Sequence, residues 1–99
     1  MGVTHYMASK MGAIGLTRGL ANELGDAGIT VNAVAPALTR TPGTAGIPAA
    51  RLEAIAQSQA IRRVAAPADI VGPLLFLTSE EGGFVTGQTI AVDGGMMKL

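Results

Sequence analysis

Cysteine and tryptophan are missing altogether from this 99-residue chain, which has one histidine, one tyrosine and two phenylalanines. Without cysteine there is neither a disulfide framework nor a thiolate metal site. His5, with no matching cluster of ligand residues, gives no basis for a metal centre. Charge is equally sparse: seven basic residues balance seven acidic ones, for a formal net charge of zero. No electrostatic field therefore draws the chain to nucleic acid or to an anionic membrane, and so few aromatics make no stacking platform for bases. No apolar run approaches the ~20 residues of a membrane-spanning helix, and no basic flank followed by an apolar core marks a secretory leader. The expectation is a cytoplasmic protein with no nucleic-acid or membrane partner. What is abundant is apolar: 48% of the residues are hydrophobic and only 14% charged. A chain of this length buries only about 60–70% of its unfolded surface. Such a share of apolar residues implies faces covered by a partner or by further parts of the same fold.

Residues 6 to 24 hold good or tolerable helix formers and no proline, which predicts a helix there. Ala8, Gly12, Gly15 and Gly19 recur at three- and four-residue spacing on one narrow stripe. Each glycine costs a helix interior about 1 kcal/mol relative to alanine, so the stripe predicts close approach of another backbone. Gly25 offers a left-handed stop. The nearly continuous apolar run from Ile29 to Ala35 reads as a strand buried on both faces, as in a parallel sheet between helices, with Pro36 ending it. Thr39, Thr41, Pro42, Thr44 and two glycines then mark an irregular loop. Pro48 is placed as a first helical residue, opening a short amphipathic helix from Ala49 to Ala60 with Leu52 and Ile55 on one side. A further helix is predicted over 67–79, with Asp69 in its first turn favouring the positive end of its dipole, Pro73 inside it, and Leu74 to Leu77 as a bulky core cluster. A last strand spans 88–93, closed by Gly94-Gly95. Two strands joined by a long crossover give an α/β arrangement with a parallel sheet, and open edges on both sides call for completion by oligomerisation or strand exchange.

The chemistry is carried by Tyr6 and Lys10. Four residues is about one helical turn, so in a helix the phenol and the ammonium share a face. A cation beside a phenol favours the phenolate and eases proton transfer on that oxygen, which suits general acid/base work on a carbonyl or alcohol. His5 is expected on the loop entering the helix, facing solvent or the cleft, and Ser9, adjacent to Lys10, does not face it.

Taken together, Tyr6-x-x-x-Lys10, Val31-Asn32-Ala33-Val34-Ala35-Pro36, Thr41 and Thr86-Gly87-Gln88-x-Ile90-x-Val92-Asp93-Gly94-Gly95 resemble the C-terminal portion of a short-chain dehydrogenase/reductase. The nearest flavour is that of secondary-alcohol dehydrogenases and 3-oxoacyl-carrier-protein reductases. The resemblance covers essentially the whole chain. It implies the last two strands and flanking helices of a Rossmann-type sheet, and NAD- or NADP-dependent hydride transfer between a secondary alcohol and a ketone. Tyr6 is then the acid/base, and Lys10 favours its phenolate and bonds the nicotinamide ribose. Pro36 and the backbone at Leu38 border the carboxamide, and Thr41 sits near the carboxamide or pyrophosphate. Residues 37–66 form the substrate loop, lined by Ile47, Leu52 and Ile55. Ala37 departs from the glycine usual after the proline.

The same resemblance shows what this sequence does not contain. The family's glycine-rich turn after its first strand, its residue selecting the adenosine ribose, and its serine about a dozen residues before the tyrosine have no counterpart here. The expectation is a single partial domain over 1–99 that lacks the dinucleotide-binding part. Such a chain is a truncated oxidoreductase, inactive and without bound cofactor on its own, and a homo-oligomer. The alternatives are a non-enzymatic oligomerisation module and, less favoured, a cofactor-independent, esterase-like enzyme using Tyr6 and Lys10.

Overall fold

The computed structural model describes residues 3–97, and the side chains of all of these except Val3 and Tyr6. Its elements in chain order are helix α1 (Val3–Leu24), strand β1 (Ala33–Pro36), helix α2 (Ala49–Gln57), helix α3 (Pro67–Leu77) and strand β2 (Thr89–Val92), with short 3-10 turns at Gly25–Ala27, Pro42–Thr44 and Glu80–Gly82. The two strands pair in one sheet. Ala33 N–H donates to Gln88 O at 2.9 Å and Ala37 N–H to Val92 O at 3.1 Å. Both partners advance in the same sense along the chain, so the strands run parallel and the α2–α3 segment is their crossover. This is the α/β arrangement expected from the sequence.

The chain divides into two units, Met1–Ala33 with Phe76–Ile90, and Val34–Leu75 with Ala91–Leu99. In the first, α1 buries Thr17 and Ala21. The Thr17 hydroxyl is satisfied by donating back to Ala13 O at 2.8 Å, the usual remedy for a hydroxyl inside a helix. Ala21 Cβ lies 3.4 Å from where a Cβ on Gly87 would be, so the helix seats on the loop before β2. That loop is fixed by Asn32, whose Nδ2 donates to Val85 O at 2.9 Å while its Oδ1 accepts Gln88 N–H at 3.1 Å. Val31 N–H adds a bond to Thr86 Oγ1 at 3.0 Å. The Asn-Ala and Thr-Gly-Gln motifs thus hold one another in register.

In the second unit Thr39 and Ala65 form an isolated parallel bridge, and Arg40 N–H donates to Ala65 O at 2.8 Å. The long excursion after β1 therefore leaves and returns at one neck. Beyond the neck, Asp69 organises the start of α3. Its carboxylate accepts Ala66 N–H at 2.8 Å and a two-pronged pair of bonds from Arg63, both 2.7 Å. With Pro67 as first helical residue this is a well-formed start. The Arg63 bonds foremost, then the Ala66 amide, hold the Asp69 carboxyl well below the usual carboxylate range. A group depressed in this way stabilises the fold above its unfolded pKa of about 3.9 and loses that contribution as pH falls further. The pair is exposed and screened by salt. Thermal unfolding followed between pH 5 and pH 2 should show a shallower acid loss in Asp69→Asn than in the native chain, with the difference shrinking at high ionic strength.

Several boundaries differ from the sequence expectation. α1 starts at Val3 rather than 6, so His5 is helical and exposed, not on an entering loop. The left-handed stop is Gly28, φ 75°, rather than Gly25, which opens the 3-10 turn. β1 is confined to Ala33–Pro36 instead of 29–35, because Ile29 N–H returns to Leu24 O and Val31 N–H is taken by a side chain. Its residues are half-buried, and Pro36 is exposed at its end instead of lying beyond it. Pro48 stands one position before α2, offering its carbonyl to Arg51 and Leu52 N–H, and α2 ends at Gln57, where the Ser58 hydroxyl donates to Ile55 O at 2.6 Å. α3 ends at Leu77, not 79, where Ser79 N–H and Oγ both return to Phe76 O. β2 stops at Val92 because Asp93 leaves the strand to cap the turn that follows. Of the expected core cluster only Leu77 is buried, whereas Leu75 is 62% exposed.

Candidate functional site

In α1 the repeat of 3.6 residues per turn puts Tyr6 and Lys10 one turn apart on the face that also carries Thr17, Ala21 and Leu24. Tyr6 and Lys10 therefore occupy the N-terminal turns of the same face whose Ala21, further on, abuts Gly87. Lys10 is exposed; the side chain of Tyr6 lies outside the described residues. The glycine stripe is on the opposite face, and a Cβ built on Gly12, Gly15 or Gly19 meets nothing within 4 Å. The backbone approach predicted for that stripe is not made by the described residues.

The other candidate residues belong to the second unit. Pro36 ends β1, while Leu38, Thr41, Ile47, Leu52 and Ile55 are all half-buried. Ala37, which replaces the family's glycine, sits in ordinary backbone: no non-glycine residue with positive φ occurs among the described residues. Its amide is used in the β2 ladder. Alanine at this position therefore costs nothing that glycine would spare. The segment after it is held by a hydroxyl the sequence reading left out of the site. Thr44 Oγ1 accepts Thr41 N–H at 2.9 Å, and its own proton faces Thr39 O at 2.9 Å and Thr41 O at 3.0 Å. Thr44 N–H closes the turn on Thr41 O at 3.0 Å, and Ile47 N–H follows on Thr44 O at 3.0 Å. The Thr-x-x-Thr spacing was the available signal. Thr39 Oγ1 donates to Ala37 O at 2.9 Å. Thr41 is thus set by its neighbours, with its backbone committed and its side chain half-accessible.

A hollow of about 150 Å³ in this unit is lined by Gln59, Ile61, Arg63, Asp93 and Gly94 among others. Ala37, Gln59, Ile61, Arg63 and Ala65 of its lining fall within the predicted 37–66 loop, but Pro36, Leu38, Thr41, Ile47, Leu52 and Ile55 do not line it. No group of His, Cys, Asp and Glu side chains that could hold a metal ion occurs among the described residues, and no described helix is long and apolar enough to cross a membrane.

Lys10 on α1 belongs to the first unit, and Pro36 and the tied Thr41 turn to the second. Among the described residues there is no glycine-rich strand–turn–helix of the kind that receives a pyrophosphate.

Comparison with known proteins follows the same lines. Residues 1–97 match the family model described as enoyl-(acyl carrier protein) reductase. A hydroxy(phenyl)methylsuccinyl-CoA dehydrogenase subunit of Thauera aromatica is 46% identical over 94 residues, covering 95% of this chain and 38% of that protein. The crystal structure of a 3-oxoacyl-(acyl-carrier protein) reductase from Brucella melitensis is 42% identical with a TM-score of 0.88, covering 95% of this chain and 35% of that one. A 4-hydroxyisoleucine dehydrogenase solved with NADH and succinate is 36% identical with a TM-score of 0.82, covering 93% of this chain and 37% of that one. The chain spans a little over a third of the length of each relative.

Proposed function

We propose, from the premise that the chain belongs to the short-chain dehydrogenase/reductase family, that it supplies the acid/base residue and the substrate side of an NAD(P)-dependent oxidoreductase. The reaction is hydride transfer between a secondary alcohol and a ketone. The observation that carries this reading is the Tyr6–Lys10 pair on one face of α1, in a chain whose later motifs also match the family. When bound, the cofactor supplies or receives the hydride. Tyr6 gives its phenolic proton to the substrate oxygen in reduction and takes it back in oxidation, while Lys10 favours the phenolate and offers donors to the ribose hydroxyls. Pro36, Leu38 and Thr41 border the nicotinamide, and Ile47, Leu52 and Ile55 wall the substrate. The names of the Thauera and Brucella relatives point to acyl thioesters, and a 3-oxoacyl thioester is the substrate class we assign.

The test joins this chain to the N-terminal part of the Brucella reductase in place of that enzyme's own matching segment. Oxidation of reduced cofactor on addition of a 3-oxoacyl thioester is expected from the joined protein and not from this chain alone. A folded joined protein that binds cofactor but turns over neither a 3-oxoacyl thioester nor another ketone would overturn the reading. Saturable cofactor binding by the chain alone would contradict the assignment of the dinucleotide site to parts outside it.

A second reading, an association module, is favoured by exposed apolar side chains such as Met11 and Leu16 on α1 and the fully exposed Phe84. It predicts oligomers in light scattering at tens of micromolar, and a monomer there would remove its support.

A further inference from the structure

Gln59 is only 5% exposed, an uncommon place for a glutamine. Its Nε2 donates to two carbonyls of the segment that follows, Ile61 O at 2.8 Å and Arg63 O at 3.0 Å. Its Oε1 is buried with no hydrogen-bond partner among the described residues. A buried acceptor left unpaired is a cost, so the two donated bonds must offset it. The same amide abuts the turn after β2. A Cβ on Gly94 would fall 2.8 Å from Gln59 Nε2 and 3.0 Å from Ile61 O, and one on Gly95 would fall 2.9 Å from Ala60 Cβ. Both glycines have positive φ, 63° and 84°, so the backbone there is bare as well as bent. Gly94 O accepts Ile61 N–H at 2.8 Å. Asp93 holds the rest of the turn through Gly95 N–H at 3.0 Å and Met97 N–H at 3.1 Å.

We infer that Gln59 is a positioning residue: its amide sets the 61–63 backbone so that Ile61 N–H latches the closing end of the 37–66 excursion to Gly94 O in the Asp93–Gly95 turn. The excursion is pinned twice on its return side, at Gln59 and at the Thr39–Ala65 neck. Order in the 93–97 turn and order at the loop exit then rise and fall together, although the two segments are more than thirty residues apart in sequence. In calling this excursion the substrate loop the inference rests on the function proposed above; the latch does not. The test reads the latch without turnover, so failure of one is distinguishable from failure of the other.

The measurement is amide hydrogen exchange by NMR on the 99-residue chain, with Gly87, whose amide is bonded to Val31 O at 2.7 Å, as an internal reference. Gln59→Glu keeps the shape but turns both donors into acceptors facing carbonyls. Gln59→Met keeps the bulk and removes the donors together with the unpaired Oε1. At pH 7 protection at Ile61, Gly95 and Met97 should fall in both variants, by about tenfold or more in Gln59→Glu, and less in Gln59→Met, while Gly87 is unmoved. Lowering the pH to about 5 returns a proton to a buried glutamate and with it one donated bond, so the Glu variant recovers protection relative to Met. A residue that merely fills space would give the opposite ranking, with Glu protected like the native chain. That ranking, or loss at Ile61 with none at Gly95 and Met97, would overturn the latch. Should Gln59→Glu lose protection everywhere, Gln59→Met decides: selective loss at the three amides supports the inference, and uniform loss or none overturns it.

Discussion

Tyr6→Phe in the joined enzyme lowers turnover of the ketone by about 10²–10⁴-fold, the range a positioned acid/base group contributes, and leaves the affinity for reduced cofactor essentially unchanged. The phenyl ring keeps the volume and the helix and removes only the transferable proton. The carbonyl oxygen then has to collect negative charge with no donor in place, and the loss falls on kcat rather than on binding. Lys10→Ala behaves differently, because its proposed role is double. Removing the ammonium withdraws the charge that favours the phenolate and the donors offered to the ribose, so cofactor affinity and turnover fall together. Single-turnover kinetics with a parallel fluorescence titration separate the two patterns. Activity of Tyr6→Phe within about tenfold of the native level, below what loss of an acid/base group produces, would place the proton donor elsewhere.

The helical placement of the candidate pair was legible because it is local. Tyr6 and Lys10 fall in a proline-free stretch, and helical periodicity alone puts them on one face. The partnership of Val31-Asn32 with Thr86-Gly87-Gln88 was legible only as two motifs of one family. What joins them is Asn32, whose amide bonds both sides of the gap, and no spacing in the sequence announces a contact across that distance. The glycine stripe finds no neighbour within the described residues for a related reason. Small residues at helical spacing predict a close neighbour, but whether one is present depends on what lies over the helix, and here the space is open. The cluster Leu74 to Leu77 failed likewise: hydrophobicity marks a face that can be buried, and only Leu77 finds cover in this chain. Gln59 carried no signal at all. In Gln57-Ser58-Gln59 it reads as a polar helix end, and it is buried because a bare glycine turn from the far end of the chain closes over it.

Glycine also gives the sharpest test of the packing, because the same substitution should act with opposite sign at two positions. In Gly82→Ala the new Cβ would lie inside contact distance of Phe76 O, 3.0 Å from Leu77 Cα and 3.2 Å from Leu77 O. All three are backbone atoms at the end of α3, so no side chain can swing away. The 3-10 turn cannot lift off cheaply either, since Gly82 N–H is committed to Ser79 O at 3.1 Å, and Ser79 to Phe76 O through its amide and, at 2.7 Å, its hydroxyl. Moving one of these breaks the others, so the cost should reach about 3 kcal/mol, the upper end of the usual range for overpacking. Gly15→Ala meets nothing within 4 Å in the middle of a 22-residue helix. There alanine removes backbone freedom from the unfolded chain and should stabilise by about 0.5–1 kcal/mol. For a domain of this size that is a rise in Tm of roughly 2–8 °C against a fall of 12 °C or more for Gly82→Ala, both readable by circular dichroism. A Gly15→Ala chain that melts lower than the native one would show that another backbone does reach the stripe in solution, restoring the reading that the spacing of Gly12, Gly15 and Gly19 first invited.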